Sequence, residues 1–226
     1  MTVRLVPLLA FVTACGGGAV DNSDLPAFEE QLSSDVDQLA RTTQAAATAT
    51  LGLDEAGAQQ QVCVDGLGDC RTCLNLDGRP LQGTITGDLE AACGASITGR
   101  AGGTYTWSVL TNHLEGTWTG STSGVRVVLT GNRSATLDLE PARGPARQLQ
   151  ATLDLSALQM IVSPEGALTS WSATLSYAGF GGHDYDVSIT GQGDALSGSV
   201  TSGTVTCMVS GTTTAPDVTC TDEAAP

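Results

Sequence analysis

Residues 104–109 read TYTWSV, and the strict alternation in this stretch decides the fold. Aromatic or aliphatic residues occupy the odd positions, and threonine or serine occupies the even positions. Successive side chains of a β-strand point to opposite faces, so the apolar residues share one face and the hydroxyl groups share the other. The stretch therefore predicts an antiparallel strand with one buried face and one hydrated face.

The same alternation recurs on both sides of this stretch, from Arg79 almost to the C terminus. Turn-forming Gly, Asn and Asp residues separate the alternating segments. We predict an all-β fold, an antiparallel meander of about ten strands forming a barrel or a sandwich. The apolar members of the other segments are Leu81/Ile85/Leu89, Leu114/Trp118, Val125/Val127/Leu129, Ala135/Leu137/Leu139, Leu149/Ala151/Leu153/Leu155, Trp171/Ala173/Leu175/Tyr177, Tyr185/Val187/Ile189, Leu196/Val200 and Val205/Cys207/Val209.

A weak internal repeat suggests how these strands are connected. Residues 105–131 and 185–211 both begin with a tyrosine-led strand, pass through a Thr-Ser-Gly turn and end at a glycine. Residues 79–85 likewise resemble residues 147–153. The repeat predicts two similar meander units in tandem.

One amphipathic helix is predicted ahead of the strands, over residues 24–46. Ser23 or Asp24 can cap its N terminus, and Pro26 lies in the first turn, where proline is tolerated. Apolar residues follow at helical spacing, and they are Phe28, Leu32, Val36 and Leu39. The helix packs against the β-domain or serves as a spacer or partner-binding element. Residues 45–61 show no clear period and are interpreted as a linker.

The N-terminal residues have the organisation of an export signal. Arg4 is basic, residues 5–12 are apolar but too short to span a bilayer, and small residues precede Cys15. The sequence Val12-Thr13-Ala14-Cys15 resembles the lipobox of bacterial lipoproteins. That resemblance implies that Cys15 receives a diacylglyceryl group, that the preceding peptide is removed, and that the new amino terminus is acylated, for example with palmitate.

Several acyl chains together anchor a protein stably on a membrane. Gly16, rather than Asp, follows the modified cysteine, and by resemblance to the sorting rule of Gram-negative lipoproteins this implies the outer membrane. The predicted location is therefore the cell envelope. The predicted organisation is a signal peptide over 1–14, a flexible tether over 15–22, helix and linker over 23–61, and a disulfide-stapled β-domain over 62–226.

The cysteine count agrees with lipidation. The chain has seven cysteines, an odd number for an exported protein, and acylation of Cys15 leaves six to pair. Cys207 and Cys220 lie on two predicted neighbouring strands near the C terminus, and we predict a disulfide between them. The other four cysteines are expected to form two disulfides, in one of three connectivities that the sequence leaves open, and they are Cys63, Cys70, Cys73 and Cys93.

Other uses of these cysteines fit less well. Cys70-Arg-Thr-Cys73 is a CxxC motif, but a four-thiolate zinc site normally has two such pairs. A redox CxxC is expected beside a βαβ pattern, which the sequence lacks. Structural disulfides are the preferred interpretation.

The remaining polar clusters do not form a recognisable active site. Four oxygen-bearing residues lie in a turn-rich segment without the spacing of an EF-hand, and they are Asp65, Asp69, Asn75 and Asp77. The histidines, His113 beside Glu115 and His183 beside Asp184, match no nucleophile or metal motif. We therefore expect no enzyme activity, no cofactor and no metal site.

Charge and composition narrow the possible partners. The formal net charge is −15 at pH 7, which disfavours nucleic acid and anionic lipid head groups. The expected function is that of a lipid-anchored envelope protein with a β-rich binding or interaction module. The alternative is a carrier that encloses a lipid or another small hydrophobic ligand in a β-barrel cavity.

Overall fold

The computed structural model describes residues 25–55, 57–66, 70–88, 93–98, 103–140, 145–180 and 183–222. These residues form one helix and one antiparallel sheet, which confirms the predicted all-β class. The elements are α1 (Leu25–Thr50), β1 (Ala58–Asp65), β2 (Arg71–Arg79), β3 (Gln82–Asp88), β4 (Cys93–Thr98), β5 (Thr104–Ser121), β6 (Gly124–Glu140), β7 (Arg147–Val162), β8 (Leu168–Phe180), β9 (His183–Gln192), β10 (Ala195–Ser202), β11 (Val205–Thr212) and β12 (Ala215–Asp222).

Apart from β4, the sheet is a meander in which consecutive strands pair with each other. Its order is β1-β2-β3-β5-β6-β7-β8-β9-β10-β11-β12, and β4 pairs with the first part of β5. The described residues contain twelve strands rather than about ten. The first half of β1 lies within residues 45–61, the segment interpreted as a linker. The helix α1 continues to Thr50 because residues 45–49 are mostly alanine, the strongest helix former.

Bulges allow long strands to keep their apolar residues on one face. In β5 the register shifts between Val109 and Thr111, and Leu110 at the shift is exposed. An extra residue at this point changes which positions of β5 point inward. Before it the odd-numbered Tyr105, Trp107 and Val109 are buried, and after it the even-numbered Leu114 and Trp118 are buried. Two segments that look separate in the sequence are therefore one strand of 18 residues.

The predicted tandem repeat is wrong. Residues 105–119 belong to the single strand β5, whereas the matching residues 185–201 are divided between β9 and β10. A turn at Gly193 and Asp194 separates those two strands, and Gly193 has a positive φ of 55°, which glycine adopts without strain. Similar Thr- and Gly-rich segments therefore take different positions in the meander.

The sheet is not closed into a barrel, because β1 and β12 do not pair in the described part of the chain. α1 lies between these two edge strands and hydrogen-bonds to the backbone of both. The Glu29 carboxylate accepts from the Cys220 amide at 2.7 Å, and the Ser33 hydroxyl donates to the Pro216 carbonyl at 2.9 Å. On the other side, Arg41 donates to the Asp65 carbonyl at 2.9 Å. The helix thus protects edges that would otherwise offer unpaired backbone groups.

The apolar faces of the strands and of α1 form one core. Three residues of the predicted helical stripe, Phe28, Leu32 and Val36, have no exposed surface. The fourth, Leu39, is partly buried against the same core. Phe28 stacks on Tyr185 with ring centroids 4.0 Å apart and meets Tyr177 edge-on at 5.4 Å. Of the two roles considered for the helix, the described residues favour packing against the β-domain.

The described residues contain three disulfides, two of which cross the hairpins nearest the two edges of the sheet. Cys207 and Cys220 are opposed in the β11–β12 register and are bonded, as predicted. Cys63 pairs with Cys73 across β1 and β2, and Cys70 pairs with Cys93 at the starts of β2 and β4. These two bonds select one of the three connectivities that the sequence left open.

Removing the C-terminal disulfide should destabilise the fold. The bond joins residues 13 apart, so replacing Cys207 and Cys220 together with Ala is expected to lower the free energy of unfolding by about 3 kcal/mol through the entropy of the unfolded chain. Urea denaturation checks this value. A loss below about 1 kcal/mol would contradict the expectation that the bond staples the last strand.

Candidate functional site

A buried ion pair joins the helix to the inner face of the sheet. Asp35 of α1 pairs with Arg133 of β6, and the exposed fractions of the two side chains are 0% and 11%. Tyr177 of β8 donates to Asp35 Oδ2 at 3.0 Å, and Gln31 donates to both carboxylate oxygens at 3.0 Å. The carboxylate therefore has donors from the helix and from two strands, which offsets the cost of burying its charge.

The alternation of side chains along β6 places Arg133 in this interior. Val125, Val127 and Leu129 precede it on the inward face of β6, and Ala135 follows it. The guanidinium carbon lies 5.7 Å from the centroid of the Trp107 ring, within the range of a cation–π contact. Burial, followed by the Asp35 charge and hydrogen bond, raises the pKa of Tyr177 well above its ordinary value, against the opposing charge of Arg133. Tyr177 is consequently a neutral donor in the working pH range.

Sequence reasoning missed this ion pair, although one signal was available. Arg133 occupies an inward position in a segment whose other inward residues are apolar or small, so a charged residue there calls for a buried partner. Asp35 similarly lies between Leu32 and Val36 on the apolar stripe of the helix. Because the two residues are far apart in sequence, no local pattern identifies them as partners.

The interior around the ion pair is almost filled. A cavity of about 10 Å³ touches Gln31, Asp35, Arg133 and Tyr177, and a second cavity of about 20 Å³ lies on the other side of the ion pair. A volume of this size holds about one water molecule. Neither cavity has room for a lipid or another small hydrophobic ligand.

The outer face of β8–β12 has an unusual composition. We name it the hydroxyl face, and most of its outward residues are Ser or Thr. The hydroxyl-bearing residues are Ser170, Ser172, Thr174, Ser176, Ser188, Thr190, Ser197, Ser199, Thr201, Thr206, Ser210, Thr212, Thr219 and Thr221. The other outward residues are Ala178, Asp184, Asp186, Gln192, Ala195, Met208, Ala215 and Asp217. Three of these residues are acidic, and they are Asp184, Asp186 and Asp217. Met208 is 70% exposed, and a shallow depression of about 550 Å³ lies between Ser170, Thr190 and Ser197.

His113 lies on the outside of β5 between two carboxylates. Its Nδ1 is 2.5 Å from Asp88 Oδ1, and its Nε2 is 3.9 Å from Glu115 Oε2. The hydrogen bond to Asp88 is the largest cause of a raised pKa for His113, and the charges of both carboxylates add to it. Because the two carboxylates contact opposite nitrogens, the group favours an imidazolium rather than one metal ion.

The raised pKa of His113 can be measured directly. Asp88→Asn should lower that pKa towards the ordinary value of about 6.5, whereas Asp138→Asn on β6 should leave it unchanged. A folded-state pKa above the unfolded value means that the contribution to stability is complete below the unfolded pKa. That contribution is lost as the pH rises through the folded pKa. Titration of the imidazole signals by NMR checks both points, and equal effects of the two variants would contradict the assignment.

The other residues singled out from the sequence do not converge on one site. Asn75 and Asp77 lie along β2, where they contact Gln61 and Gln59, and Asp65 lies at the end of β1. Asp69, Cys15 and the side chain of His183 lie outside the described residues. Within the described ranges, no group of His, Cys, Asp and Glu residues is arranged to hold a metal ion. In the same ranges, no helix is both long enough and apolar enough to cross a membrane.

Comparisons with known proteins add no relative from which a role could be transferred. The sequence matches no protein-family model, no curated protein and no solved structure.

Proposed function

We propose that the protein is a lipid-anchored component of the cell envelope whose β-domain is a binding or interaction module. Two observations support the lipid anchor, namely the resemblance of residues 12–15 to a lipobox and the odd number of cysteines in the chain. The three disulfides agree with this interpretation, because they pair every cysteine except Cys15. Such disulfides are typical of exported proteins.

The observation that carries the interaction module is the filled interior. α1 occupies the space enclosed by the sheet, and the two cavities beside Asp35 and Arg133 hold about 10 and 20 Å³. Binding is therefore proposed for the outside of the domain. The hydroxyl face offers a broad surface that is rich in hydroxyl groups and carries three carboxylates, which suits a polar partner.

Lipidation is tested by changing one residue. Cys15→Ser should abolish incorporation of labelled palmitate and release the protein from washed membranes, because the serine hydroxyl cannot accept the diacylglyceryl group in place of the thiol. Cys207→Ser is the control, and it should leave both properties intact. A Cys15→Ser protein that stays membrane-bound and is cleaved at the same bond would refute the anchor.

The interaction module is tested by photo-crosslinking in the intact envelope. A photoreactive residue at Met208 or Thr174 on the hydroxyl face should give discrete adducts with a partner. Matched residues on another part of the outer surface, such as Arg126 or Gln148, should give none. The proposal fails if the hydroxyl face yields no adduct, or if every position gives the same adducts.

The second candidate is the carrier, and one observation favours it. The strands place their apolar side chains on the enclosed side of an open sheet, where an amphiphile could lie if α1 were displaced. Arg133 in the same interior could then pair with an anionic head group in place of Asp35. Displacing α1 would expose Phe28, Leu32 and Val36, each worth about 1.5–3 kcal/mol of burial, so the filled form is strongly favoured.

A further inference from the structure

The buried side of α1 carries a polar stripe. Gln31, Asp35, Gln38 and Thr42 recur at spacings of four, three and four residues, which places them on one face of the helix. Gln31 and Asp35 belong to the ion-pair network, and Gln38 donates to the Thr72 hydroxyl at 2.8 Å. Thr42 is 2% exposed, and its hydroxyl has no hydrogen-bond partner among the described residues.

The cavity of about 20 Å³ lies beside this hydroxyl group. Thr42 lines it together with Asp35, Gln38, Asn112, Asn132 and Arg133. A buried water needs a cavity of at least about 10–15 Å³ and two to four polar partners. The volume therefore fits one water molecule and nothing larger, and the lining provides enough donors and acceptors.

The charges around the cavity select a neutral occupant. Arg133 disfavours a cation at this position, and the carboxylate of Asp35 disfavours an anion. The two charges compensate each other, so a small dipolar molecule can contact both without a net charge being buried. Arg133 has five N–H donors, more than the carboxylate of Asp35 alone can accept.

We propose that this cavity is a binding site for one ordered water molecule that joins the Thr42 hydroxyl to the Asp35–Arg133 ion pair and to Asn112 of β5. The water completes the polar stripe of α1, and through it the helix is held in one register against the sheet. This site is independent of the proposed interaction function, because it lies inside the domain.

The test uses the full chain and three variants of the helix. A crystal structure at about 1.5 Å should show a water peak 2.7–3.2 Å from Thr42 Oγ1. The peak should persist in Thr42→Ser, which keeps the hydroxyl, and vanish in Thr42→Val, which removes it. Thr43→Val is the matched control, because Thr43 is equally buried but donates to the Leu39 carbonyl of its own helix. The water should remain in this control.

Solution measurements keep the proposal testable if a variant does not crystallise. Losing one net hydrogen bond should raise the unfolding equilibrium constant of Thr42→Val about fivefold relative to the wild-type chain. Water-proton relaxation dispersion should count one fewer long-lived internal water in Thr42→Val than in Thr43→Val. The proposal is overturned if the wild-type cavity is dry or if Thr42→Val is as stable as the wild type. A bromide soak that places an anomalous peak in the cavity would assign the site to an anion and would also overturn it.

Discussion

Replacing Arg133 with Met is expected to lower the free energy of unfolding by about 3–5 kcal/mol. The substitution keeps much of the side-chain volume but leaves the Asp35 carboxylate, which is completely buried, without its positive partner. Leaving a buried charge without a partner lowers the free energy of unfolding far more than breaking an ion pair on the surface does. Urea denaturation monitored by the intrinsic fluorescence of the tryptophans measures the change.

Arg126→Met is the matched control for this prediction. Arg126 lies on the same strand but is exposed, and its guanidinium donates to the side chain of Gln159. Replacing it should change the free energy of unfolding by less than about 0.5 kcal/mol. A double variant, Asp35→Leu with Arg133→Met, should recover most of the stability that Arg133→Met loses, because no unpaired charge remains. Equal effects of Arg133→Met and Arg126→Met would contradict the buried ion pair.

Deleting α1 is expected to abolish the cooperative fold. A chain that starts at Ala58 lacks every residue of the helix and exposes both the enclosed apolar face and the backbone of β1 and β12. Unprotected edges and a large apolar surface promote aggregation. Size-exclusion chromatography and thermal unfolding should show aggregates or a chain without a sharp transition.

The control for this deletion is a chain that starts at Asn22 and therefore keeps α1 but lacks the proposed signal peptide and Cys15. It should be monomeric and unfold cooperatively. If the chain starting at Ala58 also unfolds cooperatively and stays monomeric, α1 is not part of the core, and the description of the interior as filled by the helix is wrong.

Local alternation predicted the fold class because each strand has one wet face and one buried face. The same reasoning missed β1, whose N-terminal half is Gln-rich and mostly exposed, so it lacks an apolar member at every second position. It also divided β5 into two strands, because the bulge at Leu110 reverses the phase. The alternation of residues could not show whether the sheet is open or closed, because closure depends on whether the first and last strands pair.

The interior network was less predictable than the strands. The sequence shows that Arg133 is a charged residue at an inward position of its strand. Its partner Asp35 could not be identified, because it lies on a helix whose packing depends on the whole sheet. The Cys207–Cys220 bond was predictable because a short turn joins the strands that carry the cysteines. The other two bonds were not, because Cys70 pairs with Cys93, beyond β2 and β3.

We propose that the chain itself fills the interior of the domain and that partners bind on the outside. Native mass spectrometry of a chain exported with a non-lipoprotein signal peptide and beginning at Gly16, purified without detergent, tests it most directly. The expected mass is that of the polypeptide with three disulfides and no bound lipid. A stoichiometric lipid adduct that is lost on unfolding would show that the interior takes up a ligand and would favour the carrier.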